Sequence, residues 1–348
     1  MHPLDENRPV GRQFRRKGFA EPIPFGSGFR PTGENPNVTL LIVMPDKPKQ
    51  AASWARHLEK VDPELGVRIW PAAGSPKEVV MALSWRHRPG TFLKYGNLRC
   101  IASMGAGADH ILNDPDLPPN IVVTRVVDPS MAQSMAEYVV MAVLNHCRHT
   151  HAYYRKQGKG EWKPEVPRTP GKLRIGVMGL GHLGMGAAVR LQQMGFSVVG
   201  WRRTAARDGP VRTFCGGEGL RSFLAASHVL ICLLPLTPET RGILDRELFK
   251  RLPAGAYVIN VARGEHLVEE DLLEALDSDG LSGACLDVFS REPLPIGHPF
   301  WTHPRIVVTP HVSSLTPPDR VAPQIVDNYH RLRQGRPLLH TVDPKRGY

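Results

Sequence analysis

Residues 173–184 read Leu-Arg-Ile-Gly-Val-Met-Gly-Leu-Gly-His-Leu-Gly, an apolar run that ends in three glycines at G-x-G-x-x-G spacing. The apolar residues predict a strand, and the glycines predict a tight turn into a helix that begins near His182. Gly179 would form the turn, Gly181 would let the backbone approach a pyrophosphate, and Gly184 would let the helix pack closely on the strand. The free N–H groups at the start of that helix would then bind the phosphates.

The sequence after the turn supports a nucleotide site over a purely structural turn. A helical pattern covers residues 183–194, and a β-rich segment, Phe-Ser-Val-Val-Gly-Trp, covers residues 196–201. A strand, a helix and a second strand in this order form a βαβ unit, which is the context that the glycine motif requires. Glycine turns alone are common, so it is this context that predicts a bound dinucleotide.

The composition is that of a chain long enough for two domains. Its 348 residues include 44 Lys and Arg against 33 Asp and Glu, a formal net charge of +11 that favours anionic ligands. No basic stripe interleaved with aromatic residues occurs, so phosphorylated cofactors and carboxylate substrates are favoured over nucleic acid. The five cysteines are widely spaced and predict reduced thiols, with neither a disulfide nor a metal site. No apolar run is long enough to span a membrane and no signal peptide is evident, so we predict a cytoplasmic protein.

Short apolar runs alternate with helical patterns from residue 38 onward, which predicts an α/β fold built on parallel sheets. The predicted strands cover residues 39–44, 79–83, 98–102 and 121–124 before the glycine turn, and residues 228–234, 256–262, 283–288 and 305–309 after it. A long helix is predicted over residues 132–157 with Ser130 as its N-cap, and a last helix over residues 318–334.

These patterns predict that one domain is inserted into another. Residues 1–37 carry six prolines and a basic cluster, which predicts a flexible tail. Residues 38–147 and 316–348 would form a substrate domain, because a C-terminal segment too short to fold alone must pack on structure already built. Residues 148–315 would form the dinucleotide-binding Rossmann domain.

Three polar residues each follow a predicted strand beyond the glycine turn. Arg263 and His311 directly follow their strands, and Glu292 follows through a proline-rich turn. Ligands of parallel sheets bind beyond the carboxyl ends of the strands, so these side chains should meet at the edge that carries the glycine turn. An arginine can hold a carboxylate and polarise a carbonyl, and a histidine kept charged by a carboxylate can donate a proton. The set predicts hydride transfer from a nicotinamide cofactor to a 2-keto acid.

The second strand of the βαβ unit ends Trp201-Arg202-Arg203-Thr204 and bears on the choice of cofactor. A site that prefers NAD places an acidic residue there to bind the ribose 2′-hydroxyl, whereas two arginines would attract the 2′-phosphate of NADP. The arginines could also be a solvated surface pair, because exposed basic residues are common in so basic a chain. We predict NADP(H) as the preferred cofactor, with NAD(H) as the alternative.

Five segments together carry a family pattern. They are the glycine turn at 179–184, Leu-Pro-Leu-Thr-Pro-Glu-Thr at 234–240, Asn-Val-Ala-Arg-Gly at 260–264, Leu-Asp-Val-Phe-Ser-Arg-Glu-Pro-Leu-Pro at 286–295 and Thr-Pro-His-Val at 309–312. In these segments the chain resembles the D-isomer-specific 2-hydroxyacid dehydrogenase family, and in particular its A-type glyoxylate/hydroxypyruvate reductases. The resemblance runs from about residue 39 to the C-terminus. It implies two Rossmann-like or flavodoxin-like parallel-sheet domains, the cofactor domain inserted into a discontinuous substrate domain, and a homodimer with the helix after Ser130 at the interface.

The resemblance also implies roles for individual residues. Arg263, Glu292 and His311 match the family's catalytic residues, and the loop Met104-Gly105-Ala106-Gly107 matches a loop that binds the substrate carboxylate. Trp85 matches a tryptophan that lines a small substrate pocket, although a tryptophan is as often part of a core. Arg263 and His311 would also contact the substrate. The implied cofactor contacts are Gly179, Leu180, Gly181, His182, Leu183, Gly184, Trp201, Arg202, Arg203, Thr204, Leu234, Pro235, Thr240, Val261, Ala262 and Asp287, the last of them at the nicotinamide amide.

Two departures from the family pattern bear on the substrate rather than on the reaction. Ser313-Ser314 replaces the Ala-Gly of many members, and residues 128–137 differ from the commoner form while keeping Glu137. The predicted reaction is NAD(P)H-dependent reduction of a small 2-keto acid of the glyoxylate or hydroxypyruvate type to the D-2-hydroxy acid, with His311 as proton donor. The alternatives are a dinucleotide-sensing corepressor on the same fold and a phosphoglycerate-type dehydrogenase, many of which carry a C-terminal regulatory domain that this sequence lacks.

Overall fold

The structure, a computed structural model, describes residues 38–204, 209–344 and 346–347, so the predicted tail over residues 1–37 lies outside the described residues. The first sheet consists of β1 (Thr39–Val43), β2 (Gly66–Ile69), β3 (Val79–Ser84), β4 (Cys100–Ser103) and β5 (Val122–Thr124). These strands pair in parallel in the order β2-β1-β3-β4-β5. Strands β1 and β3 are buried along their whole length, as the continuous apolar runs of a parallel sheet covered on both faces require.

The second sheet is larger and also parallel. Its strands are β6 (Arg174–Met178), β7 (Ser197–Arg202), β8 (Arg212–Cys215), β9 (Val229–Cys232), β10 (Ala256–Asn260), β11 (Leu281–Leu286) and β12 (Ile306–Val308). They pair in the order β12-β11-β10-β9-β6-β7-β8. The chain moves outward from β6 in one direction and returns through β9 on the other side, so the strand order reverses between β6 and β9. In open parallel sheets such a reversal creates the crevice in which ligands bind.

Helices connect the strands and cover both sheets. They are α1 (Pro48–Val61), α2 (Asp109–Leu112), α3 (Pro129–Cys147), α4 (Thr150–Gln157), α5 (His182–Gln193), α6 (Gly216–Ala225), α7 (Arg246–Phe249), α8 (Glu269–Asp277) and α9 (Pro318–Arg333). The predicted α/β class with two parallel sheets is confirmed. In the parts of the chain that the structure describes, no helix is long and apolar enough to cross a membrane.

The C-terminal helix α9 packs on the first sheet. Its buried residues Val321 and Ile325 belong to the same core as Leu40 of β1, and the Tyr329 hydroxyl donates to the Val38 carbonyl at 2.8 Å. Helix α3, which leaves the first sheet after β5, packs instead against α5 and β10 of the second sheet. We call the first sheet with α1, α2 and α9 the first lobe and the second sheet with α5 to α8 the second lobe, and helix α3 connects the two.

The predicted single helix over residues 132–157 is wrong. The chain forms α3 and α4, which are separated at His149, a residue in the left-handed region with φ 55°. The predicted N-cap is also wrong, because Asp128 is the cap and its carboxylate accepts a hydrogen bond from the Ser130 amide at 2.8 Å. Asp is a strong N-cap and Pro129 suits the first helical position, so the helix begins three residues earlier than expected.

Candidate active site

The glycine turn joins β6 to α5 at the reversal of strand order. Gly179 has φ +97°, and a Cβ on it would lie 2.5 Å from the Leu233 carbonyl oxygen after β9. A Cβ on Gly184 would lie 1.9 Å from the Gly179 oxygen, so only glycine allows α5 to pack this closely on the turn. A Cβ on Gly181 would meet no atom of the described chain within 4 Å. The turn therefore leaves open space in front of the N-terminus of α5, where an anionic group can be bound.

The residues at the end of β7 lie beside this turn. The Trp201 carbonyl accepts from the Gly179 amide at 2.9 Å, while its indole N–H donates to the Gly216 carbonyl at 2.9 Å. The Trp201 side chain is buried, so it supports the turn from the core. Arg202, the last residue of β7, is half-buried, and Arg203, which follows it, is exposed. Both lie at the carboxyl end of the strand next to β6. A cationic edge therefore lies one strand away from the phosphate position.

A second set of the implied cofactor contacts lies in the loops after β9 and β10. The Thr240 hydroxyl donates to the Pro235 carbonyl at 2.7 Å and accepts from the Thr237 amide at 2.9 Å, which closes the loop after β9 into a compact turn. Four of the remaining members are buried apolar residues: Leu180, Leu234, Val261 and Ala262. At the start of α5, His182 is exposed and Leu183 is half-buried, and Thr204, just after β7, is exposed.

His311 and Glu292 form a hydrogen-bonded pair at the carboxyl edge of the second sheet. His311 Nδ1 lies 2.8 Å from Oε2 and 3.1 Å from Oε1 of Glu292, and Oε1 also accepts from the Phe289 amide at 3.1 Å. Burial alone would raise the pKa of Glu292, but His311, the Phe289 amide and Arg86 outweigh it and hold that pKa below its ordinary value. The carboxylate therefore stays ionised and binds the Nδ1 proton, which leaves Nε2 as the ring nitrogen that faces a ligand.

Arg86 is a partner of Glu292 that the sequence alone does not predict. It follows Trp85 in the first lobe, and its Nη2 donates to Glu292 Oε2 at 2.9 Å. Arg86 adopts φ 51°, a left-handed conformation that is uncommon outside glycine. The ion pair joins the two lobes beside His311.

Arg263 is paired across the two lobes with Asp109 at the start of α2. Its Nε lies 3.0 and 3.1 Å from the two carboxylate oxygens, its Nη2 lies 2.9 Å from Oδ1, and its Nη1 donates to the Ala262 carbonyl at 2.7 Å. Burial alone would raise the pKa of Asp109, but Arg263 lowers it below its ordinary value. Asp109 is a second site residue that the sequence alone does not predict.

The loop Met104-Gly105-Ala106-Gly107 lies directly against Arg263. A Cβ on Gly107 would lie 2.1 Å from Arg263 Nη2, so the absent side chain is what lets the guanidinium reach the loop. The Ser103 hydroxyl accepts from the Gly105 amide at 3.2 Å and donates to the Gly107 carbonyl at 2.6 Å, which fixes the loop conformation. Arg263 and this loop can therefore bind one carboxylate together.

Buried His266 supports the backbone of Arg263. Its Nδ1 accepts from the Arg263 amide at 3.2 Å and its Nε2 donates to the Pro235 carbonyl at 3.3 Å. Burial lowers the pKa of His266 to about 4, so it is neutral at physiological pH and can accept at one nitrogen while donating at the other. His266 therefore ties the loop after β10 to the loop after β9.

Trp85 stands between the carboxylate loop and His311. The nearest atom of its ring would lie 3.0 Å from a Cβ on Gly105, and its ring centre lies 4.9 Å from that of His110 and 6.4 Å from that of His311. A cavity of about 750 Å³ opens beside this ring between the lobes. Its wall includes Trp85, Met104, Glu292 and His311, but neither Arg263 nor the glycine turn.

Asp287 is fully buried beneath His311. Its carboxylate accepts from the Thr309 hydroxyl at 2.6 Å, the Val312 amide at 2.9 Å and the Ser313 amide at 2.8 Å. These contacts hold the loop that carries His311. No group of three or more His, Cys, Asp or Glu side chains that could hold a metal ion occurs in the described ranges.

The fold and the site together define a class of protein. A phosphate-binding turn at the reversal of a parallel sheet, an arginine with a backbone loop for a carboxylate, and a histidine held by a carboxylate suit a nicotinamide-dependent oxidoreductase. Residues 140–313 match the family described as D-isomer specific 2-hydroxyacid dehydrogenase, NAD binding domain. The chain belongs to the D-isomer-specific 2-hydroxyacid dehydrogenases.

Curated relatives match most of the chain. It is 38% identical over 304 residues to glyoxylate/hydroxypyruvate reductase A of Yersinia enterocolitica, a match that covers 86% of this chain and 97% of that protein. It is 42% identical over 300 residues to the protein of the same name from Klebsiella pneumoniae, with 85% and 96% covered.

Solved structures of relatives match the whole two-lobe arrangement. The D-isomer specific 2-hydroxyacid dehydrogenase of Xanthobacter autotrophicus Py2, solved with NADPH and MES, is 42% identical with a TM-score of 0.84, and the match covers 90% of this chain and 100% of that one. The NADPH-dependent glyoxylate/hydroxypyruvate reductase of Sinorhizobium meliloti, solved with NADP and sulfate, is 35% identical with a TM-score of 0.81, and the match covers 89% and 100%. The predicted family, two-domain Rossmann-type fold, oxidoreductase class and nicotinamide cofactor are confirmed.

Proposed function

We propose that this protein reduces glyoxylate, hydroxypyruvate or a similarly small 2-keto acid to the D-2-hydroxy acid. The observation that carries the proposal is the pairing of His311 Nδ1 with Glu292 Oε2 at 2.8 Å in the wall of the cavity between the lobes. A histidine fixed in this way can deliver a proton from its other ring nitrogen. The choice of substrate is supported by the names of the curated relatives, which are glyoxylate/hydroxypyruvate reductases.

The proposed mechanism assigns one role to each polar group. Arg263 and the backbone of the loop around Gly105 bind the substrate carboxylate and hold the neighbouring carbonyl near His311. The nicotinamide ring, when bound, supplies the hydride that adds to the carbonyl carbon. His311 Nε2 donates a proton to the carbonyl oxygen as negative charge builds on it, and Glu292 stabilises the imidazolium before the transfer.

The residues around the glycine turn fit a dinucleotide, and we propose that NADP is preferred. Space in front of Gly181 and the N-terminus of α5 suits a pyrophosphate. Arg202 and Arg203 at the end of β7 suit the 2′-phosphate, because Arg202 occupies the position at which an acidic residue would repel that phosphate. Both solved relatives named above contain NADPH or NADP. The remaining residues of the implied cofactor set, including Asp287, are part of the same proposal.

We also propose a homodimer that uses the face of α3, α4 and the following segment. Met141 on α3, Tyr154 on α4, and Trp162 and Val166 after it are exposed apolar residues, and Trp162 is 101% exposed. Burial of this face against a second copy would remove a large apolar area from water. Sedimentation at micromolar concentration should give the mass of two chains, and a single-chain mass would contradict the dimer.

We propose that residues 38–147 with 316–348 form the substrate domain and that residues 148–315 form the cofactor domain. The proposed location is the cytoplasm, with no nucleic-acid partner.

The activity is tested by following oxidation of NADPH and NADH with glyoxylate, hydroxypyruvate, pyruvate and 3-phosphohydroxypyruvate. We expect turnover with NADPH and one of the first two acids, and faster turnover with NADPH than with NADH. Preference for the phosphorylated acid would favour a phosphoglycerate-type dehydrogenase. Tight binding of NADPH without turnover of any acid would favour a dinucleotide-sensing protein and would contradict the proposed enzyme.

A further inference from the structure

The loop that carries His311 has an unusual backbone conformation. His311 adopts φ 56°, in the left-handed region that residues other than glycine seldom occupy. Its amide is directed toward the Asp287 carbonyl at 2.8 Å and the Thr309 carbonyl at 3.1 Å. Such a conformation persists only where the surrounding contacts hold it, so the groups that hold this loop determine where the imidazole lies.

Asp287 provides most of these contacts. Its two carboxylate oxygens accept from the amides of Val312 and Ser313, directly after His311, and from the hydroxyl of Thr309, two residues before it. The chain on both sides of the histidine is therefore attached to one buried side chain. A fully buried carboxylate without hydrogen-bond donors would destabilise the folded state. The Asp287 carboxylate therefore needs these three donors, and by binding them it fixes the conformation of the loop.

The hydroxyl of Tyr138 extends this arrangement to helix α3. It lies 2.5 Å from the Thr309 hydroxyl oxygen and 3.5 Å from the Cys285 sulfur. The single Thr309 hydroxyl proton is already donated to Asp287, so Thr309 must accept from Tyr138. Burial raises the pKa of Cys285 to about 11, so its thiol keeps a proton that it can donate to the Tyr138 oxygen. The hydrogen bonds therefore run in one direction, from Cys285 to Tyr138, from Tyr138 to Thr309 and from Thr309 to Asp287. Hydrogen bonds connected in this way strengthen one another.

We propose that Tyr138 is a positioning residue, whose hydroxyl acts through Thr309 and Asp287 to hold His311 where it can donate its proton. This inference rests on the proposed role of His311. Tyr138 lies on α3, the helix that leaves the first sheet and packs on the second lobe, so it sets the catalytic loop from the helix that connects the two. It is not among the residues of the cavity wall, which distinguishes it from a group that touches substrate.

The experiment compares Tyr138→Phe, which removes only the hydroxyl, with Tyr329→Phe, which removes a tyrosine hydroxyl that donates to the Val38 carbonyl in the first lobe, away from the cavity. Tyr138→Phe should lower kcat for the keto acid about tenfold, the effect of one well-placed hydrogen bond, and leave the dissociation constant of NADPH unchanged. The deuterium isotope effect on kcat, measured with NADPH deuterated at the transferred position, should rise because proton and hydride transfer become slower. Thr309→Val should reproduce the loss of kcat and Thr309→Ser, which keeps the hydroxyl, should restore it.

A double-mutant cycle with His311 separates positioning from a general structural effect. In the His311→Ala background, Tyr138→Phe should cause no further loss, because the group that it positions is already absent. Wild-type kcat in Tyr138→Phe, or the same fold loss in both backgrounds, would overturn the inference. Full activity of His311→Ala itself would instead overturn the proposed function, so the two failures are distinguishable.

Discussion

Arg263 Nη2 lies 2.9 Å from Asp109 Oδ1, so the guanidinium proposed to bind substrate is already paired with a carboxylate of the other lobe. The pair holds the planar fork against the loop at Gly107, where a Cβ would lie 2.1 Å from the same nitrogen. Because Arg263 also donates to the Ala262 carbonyl, three of its donors are fixed before any ligand arrives. A guanidinium held in this way loses little conformational freedom when it binds a carboxylate.

Removal of the Asp109 carboxylate should therefore lower the catalytic efficiency with the keto acid. Asp109→Ala should lower kcat/KM for the keto acid at least about tenfold, because the fork is no longer oriented and Arg263 is left without its buried partner. Asp109→Asn, which keeps an acceptor oxygen, should lose less, and NADPH binding should not change in either variant. Steady-state kinetics with fluorescence titration of NADPH checks this. An unchanged or higher kcat/KM in Asp109→Ala would show that the carboxylate only competes with substrate.

The choice of cofactor should depend on the end of β7. Arg202→Asp removes a positive charge and adds a negative one where the 2′-phosphate is proposed to lie, so the ratio of kcat/KM for NADPH to that for NADH should fall at least about a hundredfold. Arg212→Asp makes the same charge change at the opposite end of the neighbouring strand β8 and serves as the control. A ratio that is equal in both variants would mean that the arginines are a solvated pair.

The acid limb of the pH profile should report on Glu292. Its pKa lies below the ordinary value, so its carboxylate stays ionised, and keeps His311 in place, down to a pH below the ordinary glutamate value of about 4.3. This support is complete above that value and is lost as the pH falls through the lowered pKa. Arg86 contributes to the lowering, so Arg86→Gln should move the acid limb of kcat/KM to higher pH. The exposed Arg88→Gln is the control, and an acid limb that does not move in Arg86→Gln would contradict the assigned effect.

The stability of the first lobe should depend on the burial of β1. Leu40 is 0% exposed in the core shared with α9, so Leu40→Ala should lower the free energy of unfolding by about 2–5 kcal/mol through lost burial and the cavity left behind. Leu93→Ala removes an exposed leucine, and its effect should stay within about 0.5 kcal/mol. Urea unfolding of both variants checks the contrast. Equal midpoints would indicate that β1 and α9 do not form a shared core.

The parts of the fold that the sequence predicted are those with a strong local cause. The glycine turn could be predicted from the sequence because Gly179 and Gly184 occupy positions that no side chain fits. The central strands were readable because they are continuous apolar runs, whereas the edge strands β2 and β8 are half-buried or exposed and carry no such run. The left-handed turn at His149, which ends α3, has no comparable signal in its residue type.

The candidate site divides in the same way. Arg263, Glu292 and His311 each follow a strand, so their common edge could be predicted from the topology of parallel sheets. Asp109 and Arg86 come from the other lobe, 154 and 206 residues from their partners, and no local spacing relates them. Tyr138 lies on α3, whose pattern of apolar residues predicts only a packed helix. Its contact with Thr309 exists only because α3 crosses to the second sheet.

The role of His311 as proton donor is tested by the rate of NADPH oxidation by His311→Ala with saturating 2-keto acid. His303→Ala, at the opposite end of β12, is the matched control. We predict that kcat of His311→Ala falls about a thousandfold or more, as loss of a general acid and its positioned proton implies, while NADPH binds as before and the control keeps its activity. A kcat within a few-fold of the parent protein would contradict this role of His311.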